Sequence, residues 1–140
     1  MFIKQLSIFV ENKFGRLEAI LDCLSQNNIN LRALSLADTA DYGVLRVIVD
    51  DTEKAKKVLN EAGVIAKLTD VVAVYIDDRS GGLASVLSKL KNAEISVEYM
   101  YAFLGRKEGK ALMVLKADDE AKAEKILADN NIAMASQNEI

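Results

Sequence analysis

Hydrophobic residues follow two regular patterns along the chain, and each pattern occurs twice. They occupy every second position of residues 6–10 and again of residues 72–76, as in a strand with one buried face. After each strand they recur three and four positions apart, which is typical of an amphipathic helix. The helical positions are Leu17, Ile20, Leu21 and Leu24 in the first copy, and Leu83, Val86, Leu87 and Leu90 in the second.

The correspondence continues to the end of the chain. Ile29 and Leu31 recur 66 positions later as Ile95 and Val97. Leu45 and Val47 match Leu112 and Val114 at 67 positions, and Val58 and Leu59 match Ile126 and Leu127 at 68, with the single-residue shifts near predicted loops. The sequence therefore predicts an internal duplication, with one repeat over residues 1–69 and a second over residues 70–140.

Both repeats predict the order strand, helix, strand, strand, helix, strand. In the first, strands are expected over 3–11, 30–36, 44–49 and 64–68, with a helix of about three turns after Gly15 and another over 53–62. In the second, strands are expected over 71–77, 95–104, 110–117 and 132–136, with helices over 83–92 and 119–130. This order is the ferredoxin-like βαββαβ unit. The fold class is thus α+β, with two antiparallel sheets that each carry their helices on one face.

The amino-acid composition excludes several kinds of catalytic site, metal site and binding partner. The 140 residues include no histidine and one cysteine, Cys23, which excludes histidine-based nucleophilic catalysis and the usual zinc sites. We therefore predict no catalytic residue, metal or cofactor. A net charge of −3 and third strands without aromatic residues argue against nucleic acid, and no hydrophobic run is long enough for a membrane span. The lone cysteine and the absence of a signal peptide predict a cytoplasmic protein.

The segment Val10 to Leu17, followed by Asn28-Ile29-Asn30, resembles the first loop of the ACT family of amino-acid-sensing regulatory domains. The segment Ile76 to Leu83, followed by Glu94-Ile95-Ser96, is similar to it as well. Together the two matches extend over nearly the whole chain. The resemblance implies a tandem ACT protein that binds a free amino acid between the first loop of one repeat and the second strand of the other.

In a serine-sensing member of that family, one asparagine lies three residues before the loop glycine and another lies fifteen after it. Asn12 and Asn30 match this pair, whereas Asp78 and Ser96 occupy the same positions in the second repeat. Phe14 and Ser80 replace the proline that the family usually has. The candidate ligand-binding residues are Asn12, Lys13, Phe14, Gly15, Arg16, Leu17, Asn30, Leu31, Asp78, Arg79, Ser80, Gly81, Gly82, Leu83, Ser96, Val97 and Tyr99.

The residue types support a zwitterionic ligand. Amides such as Asn12 and Asn30 donate and accept hydrogen bonds, and N–H groups at a helix start favour a carboxylate. If the repeats complement each other, Asn12 would face Ser96 and Asp78 would face Asn30, giving two different sites. A glycine that ends each loop would let the backbone approach the ligand.

Each feature also has a purely structural interpretation. Asn12 and Asp78 suit helix caps or turns, and the three Asp-Asp pairs at strand-to-helix junctions suit caps better than catalysis. Tyr99, Tyr101 and Phe103 alternate along a strand and either pack on the sheet or line the site. The loop 105–110 is predicted to be a hairpin, and Cys23 to be an inert helix residue.

The predicted function is a regulatory sensor of a free amino acid, with a homodimer and a metabolic enzyme as expected partners. The alternative is a regulatory subunit that docks onto an enzyme and binds no small molecule. An enzyme using Asp78 with Lys13 or Arg79 is a third hypothesis.

Overall fold

A computed structural model describes residues 1–38, 41–105 and 107–140. Over these residues the chain forms seven strands and four α-helices, which confirms the α+β fold class. The elements are β1 (Ile3–Glu11), α1 (Arg16–Gln26), β2 (Leu31–Asp38), β3 (Tyr42–Val49), α2 (Thr52–Glu61), β4 (Ala66–Asp77), α3 (Gly82–Asn92), β5 (Val97–Ala102), β6 (Lys110–Ala117), α4 (Glu120–Asp129) and β7 (Met134–Ala135).

The chain divides into two compact units. The first contains Lys4–Thr69, and the second contains Asp70–Ile140 together with Met1–Ile3. In the first unit β3 pairs antiparallel with both β1 and β2, and the start of β4 neighbours β1. The helices α1 and α2 cover one face of these strands, and their core residues are Leu6, Ile8, Val10, Ile20, Leu24, Leu45, Val47, Ala55 and Leu59, among others.

The second unit repeats this arrangement. The remainder of β4 pairs antiparallel with β6 and β7, and β6 pairs with β5. Its core contains Val72, Val74, Ile76, Val86, Leu90, Leu115, Ala123 and Leu127. These positions correspond one by one to core positions of the first unit. The predicted match of Leu45 and Val47 with Leu112 and Val114 was wrong by one residue, because Val47 pairs with Leu6 whereas Leu115 pairs with the equivalent Val72.

The helices of both units begin at the same kinds of N-cap residue. The helices α1 and α3 begin after glycines with left-handed backbone, Gly15 at φ 81° and Gly81 at φ 83°. The helices α2 and α4 begin at Asp51 and Asp119, whose carboxylates accept hydrogen bonds from the N–H groups of Lys54 and Lys122. In two of the three Asp-Asp pairs the second aspartate is therefore a helix cap, as predicted.

Several predicted boundaries were wrong. The strands predicted over 64–68 and 71–77 are one strand, because the polar residues Thr69 and Asp70 lie within β4 rather than in a turn. The turn predicted over 38–43 is shorter, since Asp38 ends β2 and Tyr42 begins β3, and residues 39 and 40 lie outside the described residues. The strand predicted over 95–104 ends at Ala102.

One half-buried ion pair gives the second unit a testable pH response. Glu120 Oε2 accepts a hydrogen bond from the N–H of Ala117 at 2.9 Å and lies 3.3 Å from Lys116 Nζ. Its Oε1 is buried and has no hydrogen-bond partner within the described part of the chain. Burial raises the pKa of Glu120 above its ordinary value of 4.5, because the charged form loses its hydration.

A raised pKa means that the folded protein holds this proton more tightly than the unfolded chain. The contribution of Glu120 to the free energy of unfolding should therefore fall as the pH rises through and above 4.5. We expect the stability of Glu120→Gln, relative to the unchanged protein, to improve over this interval. Urea titrations of both proteins at several pH values measure that difference, and a relative stability that worsens with pH would contradict the assignment.

Candidate functional site

The first loop connects β1 to α1 by a tight turn. The N–H of Lys13 donates to the carbonyl of Glu11 at 2.8 Å, and the N–H of Arg16 donates to the carbonyl of Lys13 at 3.2 Å. The N–H of Asn12 donates to the carbonyl of Asp41 at 3.2 Å. Because Gly15 is the N-cap and no side chain caps α1, the N-cap interpretation of Asn12 is wrong. Its amide is exposed on the loop.

The glycine at the end of each loop has a backbone conformation that favours glycine, and the expected approach of a ligand to it stays a prediction. A Cβ on Gly15 or Gly81 would meet no atom within 4 Å, so neither glycine is needed for close packing against the protein itself. Both have positive φ, which glycine adopts without the steric cost that other residues have. The two loop glycines are thus accounted for by the backbone turn that starts each helix.

A groove of about 360 Å³ lies beside the first loop, and we call it the loop groove. Its walls come from the loop, from the first turn of α1 and from the strand ends where β2 and β3 meet. The lining residues are Val10, Glu11, Asn12, Lys13, Leu17, Leu36, Asp38 and Gly43. Three of them, Asn12, Lys13 and Leu17, were predicted from the sequence.

Charges of both signs border the loop groove. Lys13 Nζ lies 3.1 Å from a carboxylate oxygen of Glu11. The hydrogen bond from Lys13, together with the charges of Lys13 and Arg16, holds the pKa of Glu11 below its ordinary value. Glu11 is therefore ionised at neutral pH, and the stabilisation from its ion pair is lost only as the pH falls through that lowered pKa. Asp38 supplies a second carboxylate at the end of β2.

The second loop has the same backbone and different side chains. The N–H of Arg79 donates to the carbonyl of Asp77, and the N–H of Asp78 donates to the carbonyl of Gly109. Asp77 is hydrogen-bonded to Lys110 Nζ and lies 3.7 Å from the Arg79 guanidinium. Lys110 holds the pKa of Asp77 below its ordinary value, chiefly through that hydrogen bond. The Asp77-Asp78 pair is therefore not a helix cap, in contrast to the other two pairs.

The predicted strand residues lie far from the loops of their own units. Asn30 precedes β2, and its N–H donates to the carboxylate of Asp50 at 3.0 Å. Ser96 makes the same bond with Asp118 at 3.1 Å. Since β1 and β2 are both antiparallel to β3, they run in the same direction, so Asn30 lies at the opposite end of the unit from Asn12. The structure does not bring these two asparagines together within the first unit.

The remaining predicted residues separate into three environments. Phe14 is fully exposed at the tip of the first loop. Leu31, Leu83 and Val97 pack partly buried against the core of their own unit. Arg16 lies on the other flank of α1 from Leu17 and does not line the loop groove.

Aromatic residues of β5 lie within the sheet. Tyr99 is half-buried and Tyr101 is buried, and their partners in β6 are Lys116 and Val114. A β-bulge between Val97 and Tyr99 changes the register at the start of this strand. The placement of Tyr101 favours the packing interpretation for that residue.

The described residues contain neither a metal-binding cluster nor a membrane-spanning helix. No three histidine, cysteine, aspartate or glutamate side chains there are grouped as they would be around a metal ion. The described helices are all too short or too polar to cross a membrane.

Comparison with known proteins assigns the family. The family profile described as "ACT domain pair" matches residues 1–140. The chain belongs to the ACT domain pair family. The duplicated fold and the family resemblance predicted from the two loops are thereby confirmed, and ACT domains of this kind are regulatory rather than catalytic.

Solved structures agree with the ACT pair assignment. Protein BT0572 from Bacteroides thetaiotaomicron is 37% identical, with a TM-score of 0.93, over 99% of this chain and 95% of that one. The ligand-free regulatory subunit of aspartate kinase from Thermus thermophilus is 14% identical, with a TM-score of 0.65, over 90% of both chains. At that identity the second likeness concerns the fold alone. No curated protein matches this ACT pair in sequence.

The predicted site list did not include five residues of the loop groove, namely Val10, Glu11, Leu36, Asp38 and Gly43. Their positions follow from strand register, because Glu11 pairs with Tyr42 and Asp38 pairs with Gly43. The ends of β1 and β2 therefore lie on either side of the start of β3. Aligning these strands through β3 could have found them, since β1 and β2 both run antiparallel to it.

Proposed function

We propose that this ACT pair is a regulatory sensor that binds a free amino acid in the loop groove. The observation that carries the proposal is the placement of opposite charges around one small cleft. Lys13, the Asn12 amide and the N–H groups at the start of α1 suit a ligand carboxylate. Glu11 and Asp38 suit a ligand ammonium group.

The apolar part of the same groove suits a ligand side chain. Leu17 is half-buried, and Leu36 is 51% exposed although it lies in a strand. A volume of about 360 Å³ falls within the roughly 300–1,000 Å³ of typical small-molecule sites. The expectation that the second strand of the other repeat completes the site, through Asn30 or Ser96, stays a prediction.

A separate enzyme is the proposed partner of this sensor. The structurally similar chain from Thermus thermophilus is the regulatory subunit of a kinase, so a chain of this fold and length can serve as a separate regulatory subunit. We include in the proposal a homodimer and a cytoplasmic location, the latter on the single cysteine in 140 residues.

The direct test is thermal melting of the purified chain with each of the twenty amino acids. A ligand at about 100 times its dissociation constant adds roughly 2.7 kcal/mol to the free energy of unfolding, which raises the melting temperature by several degrees. We expect one amino acid, or a chemically related group, to produce this shift. Asn12→Ala and Lys13→Gln should remove most of it.

Matched controls come from α2. Asn60→Ala and Lys57→Gln make the same chemical changes at exposed helix positions outside the loop groove, and they should keep the full shift. A panel without any shift would contradict the sensor and favour the enzyme-docking alternative. The fully exposed Phe14 at the loop tip is the observation that supports that alternative.

A further inference from the structure

A second groove lies on the opposite flank of α1, and we call it the helix groove. It has a volume of about 530 Å³ and lies between α1, the turn from α2 to β4, and the end of β1. Ala19, Ile20 and Cys23 form its α1 wall, and Ala62 and Val64 face them from the turn. All its lining residues belong to the first unit.

Large apolar side chains are exposed around the helix groove. Phe9 is 43% exposed, Tyr42 is 46% exposed and Ile65 is 62% exposed, and all three line it. The rings of Phe9 and Tyr42 meet edge to face at 6.0 Å. Exposed apolar patches on small proteins often mark binding sites. None of these three side chains belongs to the core of the first unit, so packing within that core does not require them.

The second unit has a groove at the equivalent position, which provides an internal comparison. It is smaller, at about 220 Å³, and its lining is polar. The substitutions along the repeat register are Cys23 to Lys89, Ala19 to Ser85, Ala62 to Asn130, Gly63 to Asn131 and Ile65 to Ala133. The fold therefore accepts polar residues at this place, and the apolar walls of the helix groove are a property of the first repeat.

The charges at the rim select the kind of apolar ligand. The rim carries Arg16, from the first turn of α1. The acidic residue of the rim, Glu11, is already ion-paired with Lys13 on the loop side. Glu11 thus faces two cations, Lys13 and Arg16, and the net charge of the three side chains is positive, which favours a ligand with one negative group.

We propose that the helix groove binds a small apolar carboxylate, with its hydrocarbon body between α1 and the α2–β4 turn and its carboxylate at Arg16. A volume of about 530 Å³ with mainly apolar walls and few polar groups is typical of small-molecule sites. The proposal does not depend on ligand binding in the loop groove, which lies on the other flank of α1.

Cys23 makes the test specific, since it is the single cysteine of the chain and lies in the groove wall. The measurement is its rate of alkylation by N-ethylmaleimide in the presence of hydrocinnamate. At about ten times the dissociation constant, we expect roughly tenfold slower alkylation, because only unoccupied protein reacts. Hydrocinnamyl alcohol, which has the same body without the charge, should bind roughly tenfold more weakly. Arg16→Gln should remove this preference for the acid.

The second repeat supplies the matched control. In a Cys23→Ser background, Lys89→Cys places the thiol at the equivalent position of the polar groove, and hydrocinnamate should not protect it. Equal protection of both thiols would overturn the proposal, as would no protection of Cys23. Protection by hydrocinnamyl alcohol equal to or stronger than that by hydrocinnamate would overturn the carboxylate assignment.

Thermal melting provides a second readout that does not depend on thiol reactivity. Hydrocinnamate should raise the melting temperature of the unchanged protein. Ala19→Trp, at an exposed position on the groove wall, should fill the groove and remove the shift, whereas Ser85→Trp in the second repeat should keep it. Loss of the shift in both variants, or in neither, would overturn the proposal.

Discussion

Gly82→Ala is expected to lower the free energy of unfolding of the second unit by about 3 kcal/mol. A Cβ at this position would overlap the backbone carbonyl oxygen of Asp77, which cannot rotate away as a side chain could. The start of α3 would have to move from the end of β4. This movement would also displace Arg79, whose carbonyl accepts the N–H of Gly82 at 3.0 Å.

Two neighbouring positions separate this overlap from other effects. Gly81→Ala places a side chain in open space at a φ of 83°, so it should cost only about 1 kcal/mol for the left-handed backbone. Arg16→Ala changes the residue equivalent to Gly82 in the first repeat, where a side chain is already accommodated. Urea titrations of the three variants measure which one loses most free energy of unfolding. If Gly82→Ala cost no more than Gly81→Ala, the close approach of α3 to β4 would be wrong.

The second large effect is expected for Leu24→Ala and Leu90→Ala, which occupy the same position in the two repeats. Each side chain is 1% exposed in the core of its own unit. Removing a buried leucine side chain typically costs 2–5 kcal/mol, so we expect about 3 kcal/mol for each variant. Denaturant titrations give the magnitude, and amide hydrogen exchange shows which residues are affected.

Because these contacts lie inside one core, each variant should speed exchange most in its own unit. Leu24→Ala should speed amide hydrogen exchange in Lys4–Thr69, and Leu90→Ala should speed it in Asp70–Ile140. Ser25→Ala changes the exposed neighbour of Leu24 and should have little effect on the free energy of unfolding or on exchange in either unit. A cost below about 1 kcal/mol for Leu24→Ala would mean that this side chain is not packed as described.

The helices and most core positions could be predicted because buried residues recur at regular intervals in the sequence. The stripe from Leu17 to Leu24 fixes which face of α1 is covered, and its copy from Leu83 to Leu90 fixes the same face of α3. Strand ends were less predictable. Thr69 and Asp70 are polar, yet backbone hydrogen bonding in a strand does not depend on side-chain polarity, so β4 continues through them.

The candidate site was predicted only in part for a similar reason. Neighbours in sequence can point to different sides of a helix, and Arg16 and Leu17 lie on opposite flanks of α1. Leu36 and Asp38 reach the loop groove through the register of β2 on β3, which includes a bulge between Leu31 and Ala33. A bulge moves every following side chain to the other face, and hydrophobic periodicity does not reveal where it occurs.

Carrying both repeats in one chain has a consequence for how the protein can change. In a symmetric dimer of identical single repeats, every substitution appears twice, and both copies of a groove must keep the same chemistry. Here one codon alters one groove alone, so Cys23 and Lys89, or Arg16 and Gly82, were free to diverge. The covalent duplication thus permits an asymmetric protein, in which one repeat can acquire a new ligand while the other retains an old one.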